Sequence, residues 1–383
     1  MRRPDEPGAG ALRAWGWVDH LRSGGTTPWP AWTEPGVPGG GSLPGARQLE
    51  VLRRLNEAGA PSRDLVGRVL SAATMGRGIG ELPLAGAAGE GFGPRPVEPS
   101  ELPAEDLLRV VLPLLADDLQ AGEPKTGLVE SVPSAPPGGR RRPGRRFRLV
   151  GDPGLAEPLR ETLRAMGRPP GGPRPTVLVM GSSLDRMLAH VWAERCFDHG
   201  CPAWEQWLAR GQSVDALPPR IDLPAVAARW ATEVGARRVA VVLDPQALVP
   251  LLGLAHPLVG PAEVPAGSAD LARRLSRVLQ LRLTDDRRRA VVNDVLRPAL
   301  AVETGEIPAV PAERWEWVER RAAAMRGALA AAGYAVHGGV DAVLPAARPG
   351  VGSEPADALA LAAGIRLLLR FDQGNPRSRE EDG

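Results

Sequence analysis

Three short apolar runs organise the second half of the chain. FRLVG (147–151), TVLVMG (176–181) and RVAVVLD (238–244) are rich in Val and Leu, the pattern of strands covered on both faces. Helical spacing fills the intervals at 155–166, 184–196 and 223–234, the last closed by Gly235. Alternating strands and helices predict a parallel sheet with right-handed crossovers, an α/β domain flanked by helices. More helices are predicted at 266–282, 286–301 and 312–332. GYAVHG and VDAVLP then read as an edge strand and a terminal turn.

The first third carries only helical periodicity. ALRAWGWVDHLR (11–22) predicts a short helix, and Leu49, Leu52 and Leu55 recur at helical spacing in the next. PSRDLVGRVLSAATMG opens on Pro and ends on Gly, as helices do. In ELPAEDLLRVVLPLLADDLQAG, Pro113 removes one backbone donor and predicts a kink. The intervening SGGTTPWPAWTEPGVPGGGSLPG has too many Gly and Pro for regular structure, yet its Trp29 and Trp32 require burial. The expected layout is a smaller all-helical N-terminal domain (1–121), a linker (122–145), the α/β domain (146–350), and a C-terminal helix with a frayed tail (351–383).

Composition narrows this picture. A chain of 383 residues can bury two modest cores, and 46 Gly and 41 Pro predict long irregular connections. Lys125 is the one lysine against many arginines, which reads as the coding bias of a GC-rich bacterium rather than as phosphate chemistry. With 47 basic and 45 acidic residues, no net field draws the protein to nucleic acid or an anionic membrane. Cys196 and Cys201 cannot build a disulfide framework, and the first residues lack an apolar signal segment, so a cytoplasmic location is expected. The run from 356 to 369 is shorter than the roughly 20 residues a membrane span needs. It reads as a packed helix.

In open parallel sheets ligands collect outside the carboxyl ends of the strands. The first strand delivers Gly151-Asp152-Pro153-Gly154 there, the second Ser182 and Ser183, the third Asp244. Each precedes a helix, so an anion could meet backbone amides. Capping explains the same residues: Asp152 and Asp244 each precede a proline suited to a helix start, and Ser183 can cap the next helix. A carboxylate at a helix start also repels a second anion. Two such carboxylates could instead hold a divalent ion or move a proton. A second cluster, His190, Cys196, His199 and Cys201, has zinc-ligating residue types, but the C-x4-C spacing is not that of common zinc sites. Buried thiols with a polar-core histidine are the plainer reading, and no metal is expected. Trp192, Trp204 and Trp207 read as core aromatics.

VLVMGSSLDRMLAHVWAERCFDHGCPAWEQWL resembles the strand–helix segment of bacterial sulfotransferase-family proteins. AARWATEVGARRVAVVLDP and GYAVHGGVDAVLP are similar to two later elements of that family, in order across about residues 147–345. The resemblance implies a P-loop-like plan for the parallel-sheet α/β domain and sulfuryl transfer from 3′-phosphoadenosine-5′-phosphosulfate, with a lysine-bearing loop after the first strand and an Arg and a Ser holding the 3′-phosphate. On this chain the loop falls on 151–154, the Arg position on Ser182, the Ser position on His190, and the family's Trp on Trp192. The loop therefore has no lysine and the guanidinium is replaced by a hydroxyl, leaving Arg186 as the candidate substitute. Losing one such donor commonly costs about 10²–10³ in rate. Pro124-Lys125-Thr126-Gly127 matches the start of such a phosphate loop, but follows an acidic helix end instead of a strand.

The expectation is a non-catalytic, sulfotransferase-like binding or accessory protein that takes an unidentified protein or small-molecule partner and no cofactor. One alternative is an active group-transfer enzyme using the phosphosulfate donor, with Arg186, His190 and Asp152 or Asp244 as its site. The other is an interaction scaffold presenting Trp15, Trp17, Trp29 and Trp32.

Overall fold

A computed structural model describes residues 9–34, 36, 42–73, 82–87, 94–122, 146–172, 174–198, 200–258, 260, 263–345 and 356–374. Lys125, Thr126, the arginines at 140–142 and 145, and His199 lie outside them. In chain order the main elements are α1 (Ala9–Arg22), α2 (Ala46–Ala58), α3 (Arg63–Ser71), α4 (Ala104–Ala121), β1 (Phe147–Gly151), α5 (Pro153–Ala165), β2 (Thr176–Met180), α6 (Leu184–Asp198), α7 (Trp204–Ser213) and α8 (Leu223–Val234). They continue with β3 (Val239–Val242), α9 (Leu248–Leu252), α10 (Ala266–Arg282), α11 (Asp285–Val291), α12 (Arg297–Ala301), α13 (Ala312–Ala331), β4 (Ala335–His337) and α14 (Ala356–Gly374). Pro113 lies inside α4 without ending it, and a π-helical turn, Val292–Leu296, joins α11 to α12.

The chain forms two compact units that the sequence order does not separate cleanly. One comprises 1–124, 270–300 and 355–383; the other 125–269 and 301–354. This corrects the expected boundaries, because residues 270–300 leave the α/β unit and α14 is no appendage. The reason is packing. A Cβ at Gly364 of α14 would lie 2.9 Å from Val111 of α4 and 3.6 Å from Leu271 of α10, so these helices meet at backbone range. At its far end Asp372 accepts from the Ser62 N–H (2.7 Å) and hydroxyl (2.5 Å), while Ser62 caps α3. Leu49, Leu52 and Leu55 are fully buried as their spacing requires. Trp17, Trp29 and Trp32 are also core residues, at 0%, 2% and 8% exposure. Only Trp15 is half-buried, so the four-tryptophan face is not exposed.

The α/β unit is built on a four-stranded sheet in the order β1-β2-β3-β4, every pair parallel. Alternate strand residues serve two cores. Phe147, Leu149, Leu178, Met180, Ala240 and Val242 pack with α5 and α9. Val177, Val179, Val239 and Val241 pack with α6, α7, α8 and α13. The first two crossovers thus step in the same direction along the sheet but run over opposite faces, which gives them opposite hands. Uniformly right-handed crossovers, the common arrangement, do not hold here, because α8 covers the face of β1 and β2 that α5 leaves. The order never reverses, yet the chain leaves β1 and β2 toward opposite faces, so the loops part at the carboxyl ends of these two strands. Among the described residues no helix is long and apolar enough to cross a membrane.

Assigning α14 to the helical unit has a direct check. Leu367→Ala, at a fully buried position, is expected to lower stability in urea by about 2–5 kcal/mol. Leu281→Ala in α10, 80% exposed, should change it by no more than about 0.5 kcal/mol. Equal effects would mean that α14 is not packed in this core.

Candidate functional site

The end of β1 adopts a backbone conformation that suits glycine. Gly151 has φ +100°, and a Cβ there would stand 2.3 Å from the Met180 carbonyl oxygen. The chain therefore stays against β2 for one more residue, and the Asp152 N–H donates to that oxygen at 3.0 Å. Asp152 arrives at the start of α5, just before Pro153, with its side chain fully buried.

Its two oxygens are met by three donors. Oδ1 accepts from the Gly154 N–H at 3.1 Å, and Oδ2 from the Ser182 hydroxyl at 3.0 Å. His190 Nδ1 lies 2.9 Å and 3.0 Å from the two oxygens. Such a full set is what a desolvated carboxylate requires. His190 approaches this closely because residue 154 has no side chain: a Cβ there would fall 2.3 Å from the imidazole Cγ. The second glycine of the loop therefore accommodates an internal ring.

The network continues outward along α6. His190 Nε2 faces Glu263 Oε1 at 3.6 Å, an ion-pair distance beyond hydrogen-bond range. Arg186, one turn earlier, donates to the same Glu263 oxygen. Two carboxylates alternate with two cations, so the array is internally neutral. Burial disfavours charge on His190, but the charge and hydrogen bond of Asp152, aided by Glu263, push its pKa up to about 9. His190 in turn, together with Arg186, holds Glu263 down at about 2 against the opposing effect of burial.

At neutral pH this array offers little base. With a pKa near 9, only roughly one His190 in a hundred is neutral at pH 7 and able to accept a proton. Glu263 is far too acidic to donate one.

The structure brings together Gly151, Asp152, Gly154, Ser182, Arg186 and His190. Asp244 stands apart: its Oδ1 accepts from the Gln246 N–H at 2.9 Å, a local cap. Ser183 gives its backbone carbonyl to the Met187 N–H, the first bond of α6. Cys196 and Cys201 are both buried, and among the described residues no three His, Cys, Asp or Glu side chains form a metal-binding group. Sequence reasoning missed Glu263. It lies 77 residues from Arg186 in PLVGPAEVPAG, where its one signal is a lone carboxylate amid apolar and Pro residues.

The pairings set a pH profile. Folded His190 titrates near 9 against 6.5 for an ordinary histidine, so its contribution is complete below pH 6.5 and is lost as pH rises through 9. Glu263 runs the other way, contributing fully above pH 4.5 and losing it as pH falls through about 2. Melting temperature should therefore decline between pH 6.5 and 9 by the equivalent of about 3 kcal/mol at most, and Glu263→Gln should shift that decline to lower pH. A profile flat across this range would contradict the pairing. Gly154→Ala, a change that stabilises compatible sites by about 0.4–1 kcal/mol, should here destabilise, because the new methyl displaces the imidazole.

Comparison with family models, curated proteins and solved structures found no match to this chain.

Proposed function

We propose that the chain is a non-catalytic binding or accessory protein whose α/β unit has a sulfotransferase-like plan, with the phosphate cradle converted into an internal ion network. One observation carries this reading. Ser182 and His190, the positions that the resemblance gives to 3′-phosphate contacts, both turn inward to Asp152. A buried carboxylate occupies the helix start where an anion would have to sit, and it repels one. Arg186, the one candidate replacement for the missing cations, is engaged by Glu263.

The protonation states argue in the same direction. A transferase of this type needs a base near the acceptor hydroxyl, and the convergence of Arg186, His190 and Asp152 makes the enzyme reading worth testing. His190 held as imidazolium is a poor base, however. The reading therefore includes no 3′-phosphoadenosine cofactor and no metal. A chain with only two cysteines has no disulfide framework, which suits a reducing, cytoplasmic compartment.

The test is a calorimetric titration of the full chain with 3′-phosphoadenosine-5′-phosphate, alongside a radiolabelled transfer assay from the phosphosulfate donor to hydroxyl and amine acceptors. The expected result is no binding tighter than about 1 mM and no transfer. Turnover that disappears in His190→Ala would establish the enzyme instead.

A further inference from the structure

A second feature of the α/β unit lies away from the Asp152 network. A cavity of about 500 Å³ opens between α6, α7, α13 and the 214–218 loop, within the size range of small-molecule sites. Its inner wall is apolar: Leu208 and Leu217 are buried, and the indoles of Trp207 and Trp317 line it. Val214, 71% exposed, also lines it, an unusual placement for a large aliphatic side chain.

Local chemistry keeps this space open. Gly211 lies on the lining, and a Cβ there would come within 3.3 Å of the Trp317 ring, so any larger residue intrudes on the indole. Trp317 is itself tethered, its Nε1–H donating to Asp215 Oδ1 at 3.0 Å. Asp215 takes a positive φ of 44° to make that contact, a conformation Asp adopts more readily than most residues but still at some cost. The loop forming one wall is therefore pinned to the helix forming another.

The charge on the cavity has one sign. Arg195 and Arg210 are its only ionisable lining residues, both are exposed, and neither side chain has an ion pair or hydrogen bond among the described residues. Elsewhere in this unit Arg160, Arg186, Arg220 and Arg326 are each paired with a carboxylate, while the exposed Arg164 and Arg237 have no ion pair among the described residues but do not line this cavity. Two unpaired guanidinium groups beside an aromatic and aliphatic cavity are complementary to a molecule with an apolar ring body and a carboxylate head. Indoles favour a flat ring through edge or offset contacts, and a guanidinium fork matches a carboxylate.

We propose that this cavity binds an aromatic carboxylate, its ring against Trp207 and Trp317 and its carboxylate at Arg195 and Arg210. The assignment goes beyond the non-catalytic reading and does not depend on it, since none of these four side chains belongs to the Asp152 network.

The probe is 2-naphthoate, titrated into the full chain by calorimetry and by the indole N–H signals of the tryptophans, with naphthalene-2-methanol as its uncharged counterpart. Saturable naphthoate binding is expected, shifting the indole signals of Trp207 and Trp317, with the alcohol binding at least about tenfold more weakly. The Arg195→Ala/Arg210→Ala double variant changes two exposed side chains and should fold normally. It should weaken naphthoate by at least about tenfold and abolish the preference over the alcohol. Gly211→Val should block both ligands. No saturable binding to the unaltered chain, equal affinity for acid and alcohol, or unchanged affinity in the double arginine variant would each overturn the proposal.

Discussion

A carboxylate with no access to water must be surrounded by donors, and Asp152 is such a carboxylate. Most of the site's architecture follows from meeting that demand. Gly151 bends so that Asp152 reaches the start of α5, Gly154 offers both an N–H and an empty side-chain position, and Ser182 adds a hydroxyl from the end of β2. His190 completes the set and becomes cationic in doing so. Once it carries charge, its outer nitrogen calls for an anion of its own, supplied by Glu263, which Arg186 then holds from the other side.

The two cation sets of α6 meet different fates. His190 is paired inside the protein with Asp152, and the half-exposed Arg186 is paired with Glu263, so the charge at that end of the helix is compensated. Arg195, near the other end, lines an apolar cavity with Arg210 and has no internal partner. Uncompensated charge beside an open hydrophobic space is the combination that binding sites require, whereas compensated charge in a packed environment is the combination that holds elements together. On this contrast rest the two proposals, ligand recognition at the cavity and structural duty at the strand ends.

Much of this was legible in the chain itself. The Val-rich runs at 147–151, 176–181 and 238–244 became β1, β2 and β3, and β4 formed in GYAVHG, because residues covered on both faces leave a continuous apolar signature. Asp152 and Asp244 do cap the elements they precede. What escaped was whatever depends on distant partners. Nothing in residues 270–300 or in α14 distinguishes an apolar face that packs on α4 from one that packs on a sheet, so their membership of the helical unit was hidden. The imidazole of His190 over Gly154, and Glu263 closing on it, join segments 36 and 73 residues apart without any shared motif. The opposite hands of the first two crossovers were equally invisible, since the same run of elements is written for either hand.

The central claim is that Asp152 keeps His190 charged, closing the strand end to both proton transfer and outside anions. Nitrogen NMR of the labelled His190 ring at pH 7.5 tests it most directly. Both ring nitrogens should appear protonated, with the Nδ1 proton shifted downfield by its short bond to the carboxylate, and Asp152→Asn should return the ring to a single protonated nitrogen. A neutral His190 ring in the unaltered protein at that pH would contradict the account.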